Sequence, residues 1–289
     1  MTEPFVETET GRTKSRWVAR AFREMGRRRT TIAALFYHAL QREEPDYPIC
    51  GGFVGEIRAT RAFQEGDRDR LYKWARTAVA IGYLPEDAFL EDLPGVQTIL
   101  PKVTSHLRPY RLEVWISRSA FNPLLEPVCS RHGAVLVSIS GRLPSDAIDS
   151  LYQRSGEMDT VLLCLADLSP EGTSFVLDLA RALSDLKRHG VSRIRMRQAA
   201  LTPEQVVRLK IPMVALRGGQ SRSLDRYRRH LKPFGLDPRR MAELDALEAL
   251  CTGGIARFME DELSRYTQAI DLEREDWLMD LRRGMLPPV

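Results

Sequence analysis

Residues 112–121 read LEVWISRSAF, and residues 161–172 read VLLCLADLSPEG. Each stretch opens with a run of apolar residues that is typical of a buried strand, and then breaks into a polar turn and a helical pattern. A third apolar run lies at 134–139, and the strands alternate with helical stretches at 119–131, 144–153 and 171–189. Such alternation predicts βαβ units and therefore an α/β fold with a Rossmann-like parallel sheet.

The chain has 289 residues, of which 43% are hydrophobic, so two packed domains with ample core are expected. No apolar run approaches the roughly 20 residues that span a bilayer, and the first residues have neither the basic nor the apolar region of a secretory signal. The four cysteines are far apart in the sequence and form no metal-like pair. We therefore expect a cytoplasmic protein with free thiols and no membrane partner.

Basic residues crowd the first thirty positions, although the net charge of the whole chain is only +4. In this segment Glu24 is the only acid after Glu9, and the basic residues are Arg12, Lys14, Arg16, Arg20, Arg23, Arg27, Arg28 and Arg29. Clustered cations are expected on a phosphate-binding surface, but charge runs are also common on solvated helix faces. The cluster favours a nucleic-acid partner.

The N-terminal half contains three predicted helices, at 13–27, about 30–41 and 67–81. Residues 45–55 contain too many helix breakers and are predicted to be a loop. Asp67 is a candidate N-cap of the third helix, and Gly82 is its candidate stop.

A basic N-terminal helix at 1–30 followed by a helical, winged-helix-like DNA-binding domain at 31–105 fits this pattern. The third helix would be the recognition helix, and the segment after it, from Gly82 to Asp87, would lead to a wing. A three-helix bundle that binds no DNA is the alternative.

The expected DNA contacts are basic side chains on these helices and in a second basic cluster at 217–232, where Tyr227 is interleaved. The candidates are Arg27, Arg28, Arg29, Arg68, Arg70, Lys73, Arg76, Arg222, Arg226 and Arg229. Phosphate contacts add affinity without sequence specificity, so the pattern indicates no target sequence. A surface loop with incidental charge is the alternative for the second cluster.

Four short segments carry a family resemblance: TIAALFY at 31–37, VWI at 114–116, LTPEQ at 201–205 and AELDAL at 242–247. In this order they resemble the A subunit of topoisomerase VI, the meiotic double-strand-break proteins, and small prokaryotic proteins that join a winged helix to a toprim domain. The resemblance implies a toprim domain at 106–250, a C-terminal helical segment at 251–289 and a homodimer that binds duplex DNA.

The resemblance implies a Mg²⁺ site. Toprim enzymes bind this ion with a Glu at the end of the first signature strand and an Asp-x-Asp at the end of the second. The matching positions here are Ser117, Asp167 and Ser169. One Asp and two serines are a poor set of ligands for an ion that requires carboxylate oxygens. Glu171 is close enough in sequence to help Asp167 hold a weakly bound Mg²⁺, so the expected cofactor is none or such an ion. The alternative for Asp167 is a helix N-cap.

The same resemblance places a DNA-cleaving tyrosine at Tyr37. The Arg-Asp pair that usually precedes this tyrosine is replaced by Ala33 and Ala34. Because a phenol has a pKa near 10, attack at neutral pH requires a base, a cation or a metal. A structural helix aromatic is the alternative for Tyr37.

Three functions are therefore compatible with the sequence. The first is a duplex-DNA-binding protein with a degenerate, inactive toprim centre, which serves as a structural or recruiting subunit and has no enzymatic activity. The second is a Mg²⁺-dependent topoisomerase or nuclease that uses Tyr37 and Asp167, with an additional protein subunit as a possible source of the missing acids. The third is a protein–protein adaptor whose basic surfaces bind acidic partners.

Overall fold

The computed structural model describes residues 8–51, 56–102, 108–188, 193–216 and 222–266, with the side chains of 51, 187, 188, 222 and 223 excepted. The chain divides into two compact units. The first unit comprises residues 1–91 and 248–250, and the second comprises residues 92–247 and 251–289. None of the described helices is both long enough and apolar enough to cross a membrane.

The first unit is built from three helices and a hairpin: α1 (Glu9–Glu24), α2 (Ile32–Leu40), β1 (Tyr47–Gly51), β2 (Glu56–Arg61) and α3 (Arg68–Ala80). The hydroxyls of Thr8 and Thr31 cap α1 and α2, each accepting a hydrogen bond of 3.0 Å from a backbone N–H three residues later. Trp17 and Phe22 bury the apolar face of α1. The three predicted helices are confirmed.

The prediction of a loop at 45–55 was wrong for residues 47–51, which form a strand that pairs antiparallel with β2. Tyr47 is buried in an aromatic cluster, with its ring centroid 4.9 Å from that of Trp17 and 5.3 Å from that of Phe63. This burial outweighs the weak strand propensity of the neighbouring Pro48. The hairpin precedes α3, and the expected wing segment from Gly82 to Asp87 contains no strand.

The second unit alternates strands and helices around one sheet. Its elements are β3 (Gly95–Ile99), β4 (Tyr110–Ile116), α4 (Asn122–Arg131), β5 (Val135–Ser140), α5 (Ser145–Ser155), β6 (Asp159–Leu165), α6 (Pro170–Arg188), β7 (Ile194–Ala200), α7 (Pro203–Arg208), β8 (Val214–Ala215), α8 (Arg222–Leu231), β9 (Arg240–Met241), α9 (Leu244–Leu250, whose last three residues belong to the first unit) and α10 (Gly254–Ser264).

The main sheet has the strand order β3-β5-β4-β6-β7, and all its pairings are parallel except that of β3 with β5. One face is a continuous apolar core in which Trp115, Cys164 and Met196 pack with Leu151 of α5 and Leu179 of α6. The predicted fold class is confirmed: a helical N-terminal region is followed by a mostly parallel α/β sheet and C-terminal helices. The sequence pattern missed β3, which has only five residues, and β7, whose apolar pattern is interrupted by polar residues.

After β4 the chain forms β5 on one side of β4, and it then crosses over to form β6 on the other side. In open α/β sheets such a switch point opens a crevice outside the carboxyl ends of the two strands, which is the usual position of a ligand site. Here the crevice is bordered by the ends of β4 and β6. Ser117 N–H donates a 3.0 Å hydrogen bond to the Leu165 carbonyl and joins the two ends.

Candidate functional site at the strand ends

Ser117 and Asp167 both lie at this crevice, because they follow neighbouring parallel strands. Arg118 comes directly after Ser117, and its guanidinium is the centre of the site. Its Nε donates to Asp92 at 2.6 Å, its Nη1 donates to Asp245 at 2.9 Å, and Nη1 lies 3.9 Å from an oxygen of Asp167. One cation of the chain is therefore shared by three carboxylates.

Burial makes these charges interact strongly, because a low local dielectric strengthens Coulomb attraction. The side chain of Asp245 is completely buried, and those of Asp167 and Arg118 are 18% and 22% exposed. Asp245, helped by Asp167 and Asp92, raises the pKa of Arg118 above its already high value. The guanidinium is thus permanently charged and cannot leave the acids by losing a proton.

Asp167 has an unusual protonation state within this cluster. Burial raises its pKa to about 7, Asp245 adds to the rise, and Arg118 opposes it. Its Oδ1 accepts a 2.7 Å hydrogen bond from the backbone N–H of Leu244. Asp167 therefore caps a helix, but the helix is α9 from distant sequence rather than α6, which follows it directly.

The cap of α6 is supplied by Ser169, whose Oγ accepts a 3.0 Å hydrogen bond from Gly172 N–H. Gly172 allows the first turn of α6 to lie against the preceding loop. A Cβ at this position would fall 2.1 Å from the carbonyl oxygen of Asp167. The loop from Asp167 to Ser169 is therefore held by α6 on one side and by α9 on the other.

A Mg²⁺ ion does not fit this arrangement. Ser117 and Ser169 contribute no carboxylate, and Glu171 is an exposed residue of the first turn of α6 with no contact to the Arg118 cluster. The guanidinium of Arg118 already engages two of the acids, Asp92 at 2.6 Å and Asp245 at 2.9 Å. Within the described ranges, no three His, Cys, Asp or Glu side chains form a group that could hold a metal ion.

The sequence pattern singled out Asp167, and Asp245 belongs to the segment at 242–247 that carries part of the family resemblance, but Arg118 and Asp92 were missed. The signal for Arg118 was its position at the carboxyl end of a predicted strand, next to Ser117. Asp92 lies 26 residues before Arg118 and has no recognisable pattern around it. Only the tertiary fold brings it to the site.

Tyr37 lies in the first unit and is completely buried. Its ring makes an edge-to-face contact with Phe36, with the centroids 5.2 Å apart. Ala33 and Ala34 are buried beside it on α2. In this conformation a DNA phosphodiester has no access to the Tyr37 hydroxyl.

The predicted DNA contacts of the first unit differ in accessibility. Arg28 and Lys73 are exposed, and the side chains of Arg70 and Arg76 are 68% and 72% exposed. Arg27 pairs with Glu248 at 3.1 Å, and Arg29 pairs with Asp87 at 3.4 Å.

Arg68 does not project from the polar side of α3, so this part of the prediction was wrong. It is buried, and its guanidinium lies 5.0 Å from the ring centroid of Phe36 and 6.0 Å from that of Tyr72. Such stacking on aromatic faces is typical of arginine and explains its burial.

In the second unit, Arg226 is 38% exposed and Arg229 is exposed, whereas the side chain of Arg222 lies outside the described residues. Tyr227 is not an aromatic residue interleaved with the cations on the surface. It is completely buried, and its hydroxyl lies 2.9 Å from the carbonyl oxygen of Leu168 and 2.6 Å from that of Arg240, which share its single proton.

No model of a known protein family matches the chain, and a search of curated proteins finds no match.

Proposed function

We propose that this protein binds duplex DNA in the cytoplasm through phosphate contacts and does not cleave it. In this proposal the sheet of the second unit is a degenerate toprim-like centre, and the protein acts as a structural or recruiting subunit. The family resemblance extends the proposal to a homodimer, which light scattering of the purified protein would test.

The observation that carries the proposal is the position of Arg118. Metal-dependent DNA cleavage requires carboxylates that are available to cations. Here the carboxylates at the switch point are engaged by a guanidinium of the same chain at 2.6 and 2.9 Å. A centre whose carboxylates are engaged by an arginine of the same chain supports a binding role rather than a cleaving one.

The DNA-binding part of the proposal is supported by the exposed cations of both units. Arg28, Lys73 and Arg229 project into solvent, where lysine and arginine can replace the counterions of a phosphate backbone. Because this attraction is electrostatic, binding should be strong at low salt and should weaken steeply as salt rises.

The experiment is a titration of labelled duplex DNA with the purified protein over a series of salt concentrations. A linear fall of log K with log salt concentration is expected, with a slope that counts the phosphates neutralised. Binding that does not respond to salt, or no binding at low salt, would contradict the proposal. In the latter case, binding to an acidic protein that DNA does not displace would support the adaptor alternative.

A further inference from the structure

Positive charge is concentrated in a part of the second unit that we call the basic layer, defined as residues 203–216 and 222–241. It contains nine Lys and Arg residues against three Asp and Glu, a net charge of +6 that exceeds the +4 of the whole chain. Residues 1–91, in contrast, contain fifteen basic and fourteen acidic residues, a net charge of +1. The basic N-terminal helix is therefore almost balanced by the rest of its unit.

The basic layer is held firmly to the sheet domain. Tyr227 and Leu231 form the buried side of α8, and the guanidinium of Arg226 lies 4.0 Å from Asp178 of α6. Strands β8 and β9 pair antiparallel, and Arg240 Nε donates to the Met213 carbonyl at 3.0 Å. These contacts fix the backbone from which the outward side chains project.

The start of α7 is fixed by a capping box. Thr202 Oγ1 accepts from Gln205 N–H at 3.2 Å, and Gln205 Oε1 accepts from Thr202 N–H at 3.0 Å. Because α7 packs on the 3-10 helix at 232–234, the cations at the end of α7 and at Lys232 lie on neighbouring elements.

The cations of the layer outnumber the acids that could neutralise them. Asp225 pairs with Arg228 at 3.3 Å, and Asp237 pairs with Arg239 at 3.3 Å. Three further cations, which are Arg208, Lys210 and Lys232, are exposed and have no acidic side chain within ion-pair distance among the described residues. On the first unit, by comparison, exposed Arg76 lies 3.7 Å from Glu91 and exposed Arg70 lies 3.5 Å from Asp67.

The burial of the aromatic residues of the layer indicates whether its partner is a duplex or a single-stranded nucleic acid. Proteins that bind single strands without sequence preference stack successive bases on accessible aromatic side chains. Tyr227 and Phe234 are the only Phe, Tyr or Trp residues of the layer, and the former is buried while the latter is half-buried. Cations without a stacking surface fit the phosphate backbone of a duplex.

We propose that the basic layer, rather than α3 of the first unit, is the principal docking surface for the phosphate backbone of duplex DNA. This inference rests on the proposed DNA-binding function and specifies where the binding occurs. Arg208, Lys210, Arg229 and Lys232 are its main phosphate contacts. Arg70 and Arg76 of α3 contribute weakly because Asp67 and Glu91 lie within ion-pair distance of their guanidinium groups.

The test compares two double charge reversals in the full-length protein. Arg229→Glu with Lys232→Glu alters the basic layer, and Arg70→Glu with Arg76→Glu makes the same change of charge on α3. Binding of a short labelled duplex is measured by fluorescence anisotropy over a salt series. Circular dichroism and thermal melting establish that both variants keep the fold.

We expect the layer variant to bind at least about thirty-fold more weakly at moderate salt and to lower the salt slope by about two, since each phosphate contact contributes about 0.9. The α3 variant should stay within about threefold of wild type. Equal losses in both variants, or a larger loss on α3, would overturn the inference while leaving the proposed DNA binding intact. If wild type binds no duplex at low salt, the proposed function fails and the inference fails with it.

A labelled single strand of the same length completes the test. Wild-type binding to the duplex should exceed binding to the single strand. Tighter binding to the single strand, lost in the layer variant, would overturn the assignment of duplex DNA as the partner.

Discussion

Each unit contains a buried aspartate beside arginine, but the ratio of acid to base differs between the two sites. In the first unit, Asp67 accepts two hydrogen bonds from Arg61, at 2.6 and 2.7 Å, and lies 3.5 Å from Arg70. In the second unit, three aspartates share the single guanidinium of Arg118. The first site has an excess of cations, and the second has an excess of acids.

This difference determines the protonation of the two aspartates. Burial alone would raise the pKa of Asp67, but hydrogen bonds from Arg61 and from Gln64 N–H hold it below its usual value. Burial and Asp245 raise the pKa of Asp167 to about 7 despite Arg118. The same residue types thus form a stabilising ion pair in the first unit and a cluster with excess negative charge in the second. The four predictions below test this contrast, from the largest expected effect to the smallest.

Removing the shared cation should have the largest effect. Arg118→Ala removes the guanidinium that lies 2.9 Å from the buried carboxylate of Asp245, and breaking a buried ion pair costs about 3–5 kcal/mol. Urea unfolding of the variant and of wild type measures the loss. Arg76→Ala is the control, because its exposed ion pair with Glu91 contributes less than about 1 kcal/mol. A loss for Arg118→Ala no larger than that of the control would contradict the central position of Arg118.

The pH dependence of the free energy of unfolding should show the raised pKa of Asp167. A carboxyl group whose pKa rises on folding binds its proton more tightly in the native state, so its contribution to stability falls as pH rises from about 4 to about 7. Each pKa unit corresponds to about 1.4 kcal/mol, and we expect a change of about 2–4 kcal/mol across this window. Asp167→Asn should remove it, as measured by urea unfolding at several pH values. Parallel pH profiles for the variant and wild type would refute the raised pKa.

The contribution of Asp67 to stability should change with pH in the opposite direction. Because its pKa is depressed on folding, its contribution is present at neutral pH and is lost as pH falls through its native pKa. Asp67→Asn should lower stability at pH 7 by about 1.5–3 kcal/mol, the contribution of charge-assisted hydrogen bonds. The deficit should shrink in acid, where the wild-type carboxyl is protonated as well. A deficit that grows on acidification would show that the two aspartates do not differ in the way described.

Backbone packing beside the two aspartates gives the smallest effect. Gly172→Ala would place a Cβ 2.1 Å from the Asp167 carbonyl oxygen, whereas a Cβ at Gly66, next to Asp67, meets nothing within 4 Å. Overpacking of this kind costs about 1–3 kcal/mol. Thermal melting should therefore show a lower Tm for Gly172→Ala and little change for Gly66→Ala. Equal shifts would mean that the loop around Asp167 adjusts without strain.

The sequence predicted the central strands and their helices closely, because long apolar runs such as that of β6 depend little on context. It missed β7, whose Arg195 and Arg197 interrupt the apolar pattern, and β1, which aromatic packing stabilises. Of the site, Ser117 and Asp167 were named through the family resemblance, and the structure places both at one sheet edge because parallel strands align their carboxyl ends. The convergence of Asp92 and Asp245 on Arg118 could not be predicted, because these acids come from segments 26 and 127 residues away.

The proposed function holds that DNA is bound but not cut, because Arg118 engages the acids at the strand ends. The most direct measurement is incubation of the purified protein with supercoiled plasmid in Mg²⁺ or Mn²⁺, with both gel retardation and nicking recorded. We expect retarded but intact DNA for wild type and for Asp167→Ala alike. Metal-dependent nicking by wild type that disappears in Asp167→Ala would contradict the claim and establish a cleaving enzyme.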